Sequence, residues 1–175
     1  MNGTRILYRL RQFWDVLRNR PLTERELAVV QDVLTDQQMA LFLQLQPAEQ
    51  QHALRVLQAV QHEGEAHPDL LVAALLHDIG KIRHPLRLWE RVVIVLGKRF
   101  FPYQAQKWGG VEHRGWARPF KVASTHPAWG AELAQRVGVS PEAVRLIQEH
   151  QKESPPHENE EDRFLSILQK ADRNN

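Results

Sequence analysis

Cysteine is absent from all 175 residues, which excludes disulfides, thiolate zinc sites and thiol nucleophiles. No unbroken apolar run approaches the roughly 20 residues that a bilayer-spanning helix needs. The opening stretch, "MNGTRILYRLRQFWDVLRNR", is arginine-rich and has no continuous apolar segment resembling a secretory signal. There is no GxSxG elbow, no phosphate-binding P-loop, no GxGxxG and no HExxH. Convincing strand pairs, hairpin turns and internal repeats are also missing. These absences narrow the expectation to a cytoplasmic globular chain whose chemistry rests on side chains other than thiols.

Helical signals fill most of the chain. Ile6, Leu7, Leu10, Phe13, Trp14 and Leu17 follow helical spacing and predict a first helix. Thr23 with Glu26 forms a capping-box pattern, and Asp36 suits the cap of the next short helix. Pro47 fits a first helical position in a helix reaching about Gly64, and Asp69 begins another, "DLLVAALLHD". Residues 85–100 read as helix by length, although "VVIVL" alone would suit a strand. Residues 102–124 hold Gly109, Gly110, Gly115 and Pro119, and are expected to be mostly loop with short helical pieces. Pro127 is expected to open a helix that Gly138 ends, and Ser140-Pro141-Glu142 to start one reaching His150. "KESPPHENEE" reads as an exposed loop before a last helix from about Glu160. The fold class is all-α.

Charge is unevenly spread. The chain carries +2 overall, yet residues 81–121 hold ten basic residues against two acidic ones. Such a field attracts anions: phosphate esters, nucleic acid or lipid head groups. A solvated basic face explains the same composition.

Six imidazoles and carboxylates fall on apolar helical stripes. His52 precedes Val56, Ala59 and Val60; His77 and Asp78 follow Ala73, Ala74 and Leu75; His126 leads Gly130, Leu133 and Val137. His150 follows Ala143, Leu146 and Ile147, and Asp172 follows Leu165 and Leu168. A single histidine on an apolar face is more often a hydrogen-bonded core residue than a ligand. Six inward-facing groups together would leave buried donors and acceptors without partners. Divalent metal, one ion or two, satisfies them jointly, and this donor set suits Mn, Fe, Zn, Co, Ni or, less readily, Mg.

At these residues the sequence resembles the HD-domain metal-dependent phosphohydrolases. The resemblance rests on His52, on "AALLHDIGK" with its His77-Asp78 pair, and on Asp172 in "LQKADRNN". It spans residues 47–175, an HD-like helical bundle, and leaves 1–46 as N-terminal helices packed on the same domain. "HPAWGAELA" and "LIQEHQ" are similar to the extra histidine positions of the binuclear branch, which includes the HD-GYP proteins. The resemblance implies that His52, His77, Asp78 and Asp172 hold one metal. Asp78, His126 and His150 would hold a second, with Asp78 bridging. Two departures stand out: no GYP tripeptide follows His150, and about 48 residues separate Asp78 from His126.

The implied activity is hydrolysis of a small anionic phosphomonoester or phosphodiester of nucleotide type. Asp78 and Lys81 are its catalytic candidates, with Lys81, Arg83 and Arg87 as phosphate-binding candidates. Residues 86–124 form an inserted basic and aromatic segment. The wider stretch 83–121 suits a substrate lid, or a nucleic-acid or membrane-surface contact. His113 is a substitute ligand should His126 not converge, whereas His157, in a polar loop, is expected to be solvated. Two other functions fit the same ligands: a di-iron oxygenase, and a non-catalytic regulatory module with a structural metal.

Overall fold

The computed structural model describes residues 20–110, 115–152 and 160–175. The expected first helix, His113 and His157 therefore lie outside the described residues. Among the described residues there are nine α-helices, two short 3-10 turns and no strand. The helices are α1 (Glu24–Gln31), α2 (Asp36–Phe42), α3 (Pro47–His62), α4 (Pro68–Leu76), α5 (Leu88–Phe100), α6 (Pro102–Gly110), α7 (Arg118–Arg136), α8 (Pro141–Glu149) and α9 (Glu160–Asn174). No described helix is long and apolar enough to cross a membrane.

Helix α4 is the centre of the bundle. Its residues Leu70, Ala73, Ala74, Leu75 and Leu76 are wholly buried, and α3, α8 and α9 all pack on it. An apolar surface on so many sides leaves the helix only one low-energy place, the interior. Whatever follows Leu76 is consequently delivered to the middle of the protein.

Local chemistry sets the ends of the early helices. Thr23 and Glu26 make the expected capping box. At the next helix the cap is Thr35, which forms a capping box with Gln38, and Asp36 is the first helical residue. The threonine hydroxyl accepts from the third-position N–H while Asp36 adds negative charge to the first turn.

Two expectations about residues 102–136 are corrected. Pro102–Gly110 is helical, and α7 begins at Arg118, so Pro127 lies inside a helix that it was expected to open. An interior proline removes one backbone donor and crowds the preceding turn. Side chains support the loosened region: Thr125 Oγ1 donates to the Lys121 carbonyl at 2.8 Å, and His126 Nδ1–H to the Val122 carbonyl at 3.0 Å. Gly109 is not a breaker either, because a Cβ there would stand 2.9 Å from Ser124 Oγ. It permits α6 to lie close on α7.

Helix α5 is held from its charged side. Arg91 Nη2 donates to Gln46 Oε1 at 2.5 Å and to Glu49 Oε1 at 2.9 Å, joining α5 to the start of α3. Glu90 accepts from Arg118 Nη1 at 2.5 Å and from its own helix's Arg87 N–H at 2.8 Å. The reading "VVIVL" as strand is thereby settled as helix.

Candidate metal centre

All six predicted ligand positions converge. His52 comes from the middle of α3, His77 and Asp78 from the residues directly after α4, His126 from α7, His150 from the end of α8 and Asp172 from α9. They form two clusters, His52–His77–Asp172 and Asp78–His126–His150, each with ligand atoms within 4.8 Å of one another. His52 Nε2 lies 2.9 Å from Asp172 Oδ1 and 3.3 Å from His77 Nε2.

Asp78 joins the two clusters. Its Oδ1 is 3.1 Å from His126 Nε2, while its Oδ2 is 3.6 Å from His77 Nε2 and 3.9 Å from His52 Nε2. The length of chain between Asp78 and His126 does not keep them apart. The 3-10 turn Ile79–Arg83 packs closely along α7. This close approach requires Gly80. A Cβ there would fall 2.0 Å from the His126 carbonyl oxygen and 2.7 Å from the Gly130 nitrogen. Helix α4 has already ended at Leu76, with His77 as its C-cap, so Gly80 does not serve to terminate it. Gly80 has no positive φ, and its absent side chain is what counts.

Three of the imidazoles are oriented in one way. Nδ1–H of His77 donates to the Ala74 carbonyl, that of His126 to Val122, and that of His150 to Ile147, at 3.0, 3.0 and 2.7 Å. A donor bond at Nδ1 leaves Nε2 as the lone-pair atom and fixes the ring, the outer-shell arrangement common to metal-binding histidines. The amide of Gln151, at 3.4 Å from His126 Nε2, approaches from the donor's side. His126 Nε2 and the Asp78 carboxylate thus face each other as two acceptors. His150 Nε2 is buried with no hydrogen-bond partner among the described residues. Several acceptors converging, one of them buried without a partner, fit a bound cation.

In the metal-free protein, positive charge on Lys81 and His77 takes the place of that cation. Burial disfavours a charged Asp78, yet the positive charges of Lys81 and His77 outweigh it and hold the carboxyl well below its usual range. Burial likewise opposes charge on Asp172, but the hydrogen bond from His52 and the closeness of His77, at 3.6 Å, bring its pKa down as well. At His77 burial lowers proton affinity, and the Asp78 and Asp172 carboxylates more than restore it. Lys81 Nζ donates to Asp78 Oδ2 at 2.5 Å. Asp78, and Glu49 after it, raise the lysine's pKa against the effect of burial.

His150 behaves differently. Burial first, then the neighbouring His77 and His126, push its pKa from 6.5 down to about 3. In metal-free protein His150 is therefore expected to stay neutral as the pH falls past 6.5, checked by its ring-nitrogen NMR shifts. Unfolded chain takes up that proton near 6.5, so its contribution to stability is complete above 6.5 and is lost progressively towards pH 3.

The two clusters differ in access. Asp78, His126 and His150 are almost fully enclosed. At the other cluster the side chains of His52 and Asp172 are 20% and 26% exposed, and that of Lys81 is 21% exposed. The opening lies on this side, with the lysine at its edge. Arg83 pairs instead with Glu132 of α7, at 2.6 Å, and Arg87 is exposed at the N-cap of α5. Glu49 is a functional neighbour that sequence reasoning missed. It is buried three residues before His52, one helical turn away, and acts electrostatically on Lys81. The helical periodicity that found His52 points to Glu49 too.

A model of the HD domain matches residues 50–174. The chain belongs to the HD-domain family. Comparison with curated proteins and with solved structures gave no match. The name refers to the adjacent His77 and Asp78, which the structure places at the junction of the two clusters. HD domains bind divalent metals, and most are metal-dependent hydrolases. The match is to the HD domain as a whole and singles out no binuclear branch.

Proposed function

We propose that this HD domain is a metal-dependent phosphoric ester hydrolase acting on a small anionic, nucleotide-type phosphomonoester or phosphodiester. The observation that carries the reading is Asp78, whose two carboxylate oxygens face two separate ligand clusters while Lys81 sits on one of them. His52, His77 and Asp172 would hold one divalent ion and His126 and His150 another, with Asp78 shared. Bound ions would supply a Lewis acid for a phosphoryl oxygen and make water nucleophilic near neutral pH.

The chain's own residues do the rest. The buried helix α4 holds His77 and Asp78 still, which keeps the ligand geometry ready before substrate arrives. The carbonyls of Ala74, Val122 and Ile147 keep protons on Nδ1 and lone pairs on Nε2. Lys81, partly exposed and paired with Asp78, is placed to bind a phosphoryl oxygen and to balance charge as it develops. Asp78 first, and Glu49 after it, keep the ammonium charged in its enclosed setting. Lys81 adjoins the ligand clusters through Asp78, whereas Arg83 is turned to Glu132 and Arg87 stands at the N-cap of α5, so Lys81 is the better placed phosphate contact.

Chelator-stripped protein, reloaded separately with Mn, Fe, Zn or Mg, should be assayed against a panel of nucleotides and generic phosphoesters. Turnover is expected to vanish on stripping and to return with at least one metal. Hydrolysis that persists unchanged in stripped protein would overturn the reading.

A further inference from the structure

Helix α5 is built inside out. Glu90, at 2% exposure, and Arg91 point inward to Arg118 and to Glu49, and Gly97 faces Phe120. The outward side is apolar instead, with Trp89 50%, Val95 62%, Leu96 50% and Phe100 67% exposed. Phe101 and Tyr103 continue it at the start of α6, at 54% and 65%. Of the eight large hydrophobics exposed among the described residues, six lie between 89 and 103. Single exposed apolar residues are ordinary, but a contiguous exposed patch marks a surface that something covers.

We propose that this face of α5 and the α5–α6 corner rests on an anionic lipid surface. Three observations select that occupant. The surrounding charge is positive: Arg87, Arg99 and Lys107 are exposed beside the patch, within a stretch of ten basic and two acidic residues. The residue types suit a bilayer interface, where tryptophan and tyrosine sit at head-group depth and aliphatic side chains enter the acyl boundary. The helix has 13 residues, too short to span a bilayer and suited to lying in its plane.

Other occupants fit less well. The chain's residues 1–19 carry four arginines and one aspartate, the same sign as the patch, and a second copy of the chain would bring that sign too. Single-stranded nucleic acid uses aromatic platforms for base stacking. Here Val95 and Leu96 stand between Trp89 and Phe100, and aliphatic groups offer hydrocarbon contact instead. Membrane docking is independent of hydrolysis at the metal centre.

The test is co-sedimentation of the full chain with phosphatidylcholine vesicles, alone or with about a third phosphatidylserine, which supplies the negative surface that basic residues recognise. Binding is expected to the anionic vesicles and to be at least about tenfold weaker without phosphatidylserine. The double variant Leu96→Asp/Phe100→Asp, both exposed, should fold normally by circular dichroism and bind at least about tenfold more weakly. Protein that stays in the supernatant with both vesicle types overturns the proposal. So does a variant that binds as well as wild type. A dimer seen by light scattering, which the double variant dissociates and which ignores vesicles, would assign the face to a second copy. Oligonucleotide binding that the variant abolishes, without vesicle binding, would assign it to nucleic acid; either result overturns lipid docking.

Discussion

Asp78→Ala is expected to lose bound metal and to cut hydrolysis by about three orders of magnitude, because weakening even a ligand's outer-shell partner typically costs about 10–100-fold. Asp78 is the residue whose oxygens face both clusters, so its removal affects two sites at once. Variants in a single cluster should separate the effects. His52→Ala is expected to reduce the metal content by one ion, and His150→Ala to remove the other, as read by elemental analysis of the purified proteins. Asp78→Asn is the control for folding, since it keeps shape and one acceptor while losing the charge that balances Lys81. An Asp78→Ala protein that retains its full metal complement and its turnover would sink the shared-carboxylate reading. Loss of metal and melting temperature with no turnover in wild type under any metal would favour a structural centre.

Gly80→Ala should be among the most damaging small substitutions in the chain. The added methyl would meet the His126 carbonyl oxygen at 2.0 Å, a backbone atom that cannot swing aside. Overpacking of a tight contact generally costs about 1–3 kcal/mol, occasionally more, and this overlap belongs at the upper end. Relief requires the Ile79–Arg83 turn to move away from α7, which carries Asp78 away from His126. The expected result is a lowered melting temperature together with weakened metal retention, measured by calorimetry and by metal titration. Gly138→Ala is a useful contrast. Its φ of 70° makes substitution a matter of backbone strain, while nothing lies within 4 Å of an added Cβ. It should destabilise the fold without displacing a ligand. If Gly80→Ala melts like wild type and binds metal equally well, the contact between the turn and α7 is not what positions Asp78.

The tertiary structure corrected sequence reasoning where neighbours, not local preferences, decided the outcome. Pro127 carries a strong helix-start signal, yet it sits within α7, a helix whose buried face packs on the Ile79–Arg83 turn and on α8. Gly80 and Gly109 carry break signals, yet both serve close packing against α7. In each case the competing term is a contact with residues distant in sequence, which no local window contains. The outward apolar face of α5 follows from the same cause. Periodicity shows that a helix has an apolar stripe, but the ion pairs of Glu90 and Arg91 turn that stripe away from the core.

By itself, the sequence determined the helical class and the N-terminal signals at Thr23, Pro47 and Ser140, and it singled out the six residues that the fold gathers into two clusters. It could do so because each member lies on a buried stripe, and burying an imidazole or carboxylate is costly enough to demand a partner. Their grouping into two clusters was implied only by resemblance to the HD family, and the tertiary structure is what shows it. "AALLHDIGK" places His77 and Asp78 side by side, but only the packing of the following turn on α7 directs the two oxygens of Asp78 towards different histidines. A helix face is a local property of spacing, whereas the meeting of α3, α7, α8 and α9 around the end of α4 depends on the whole core.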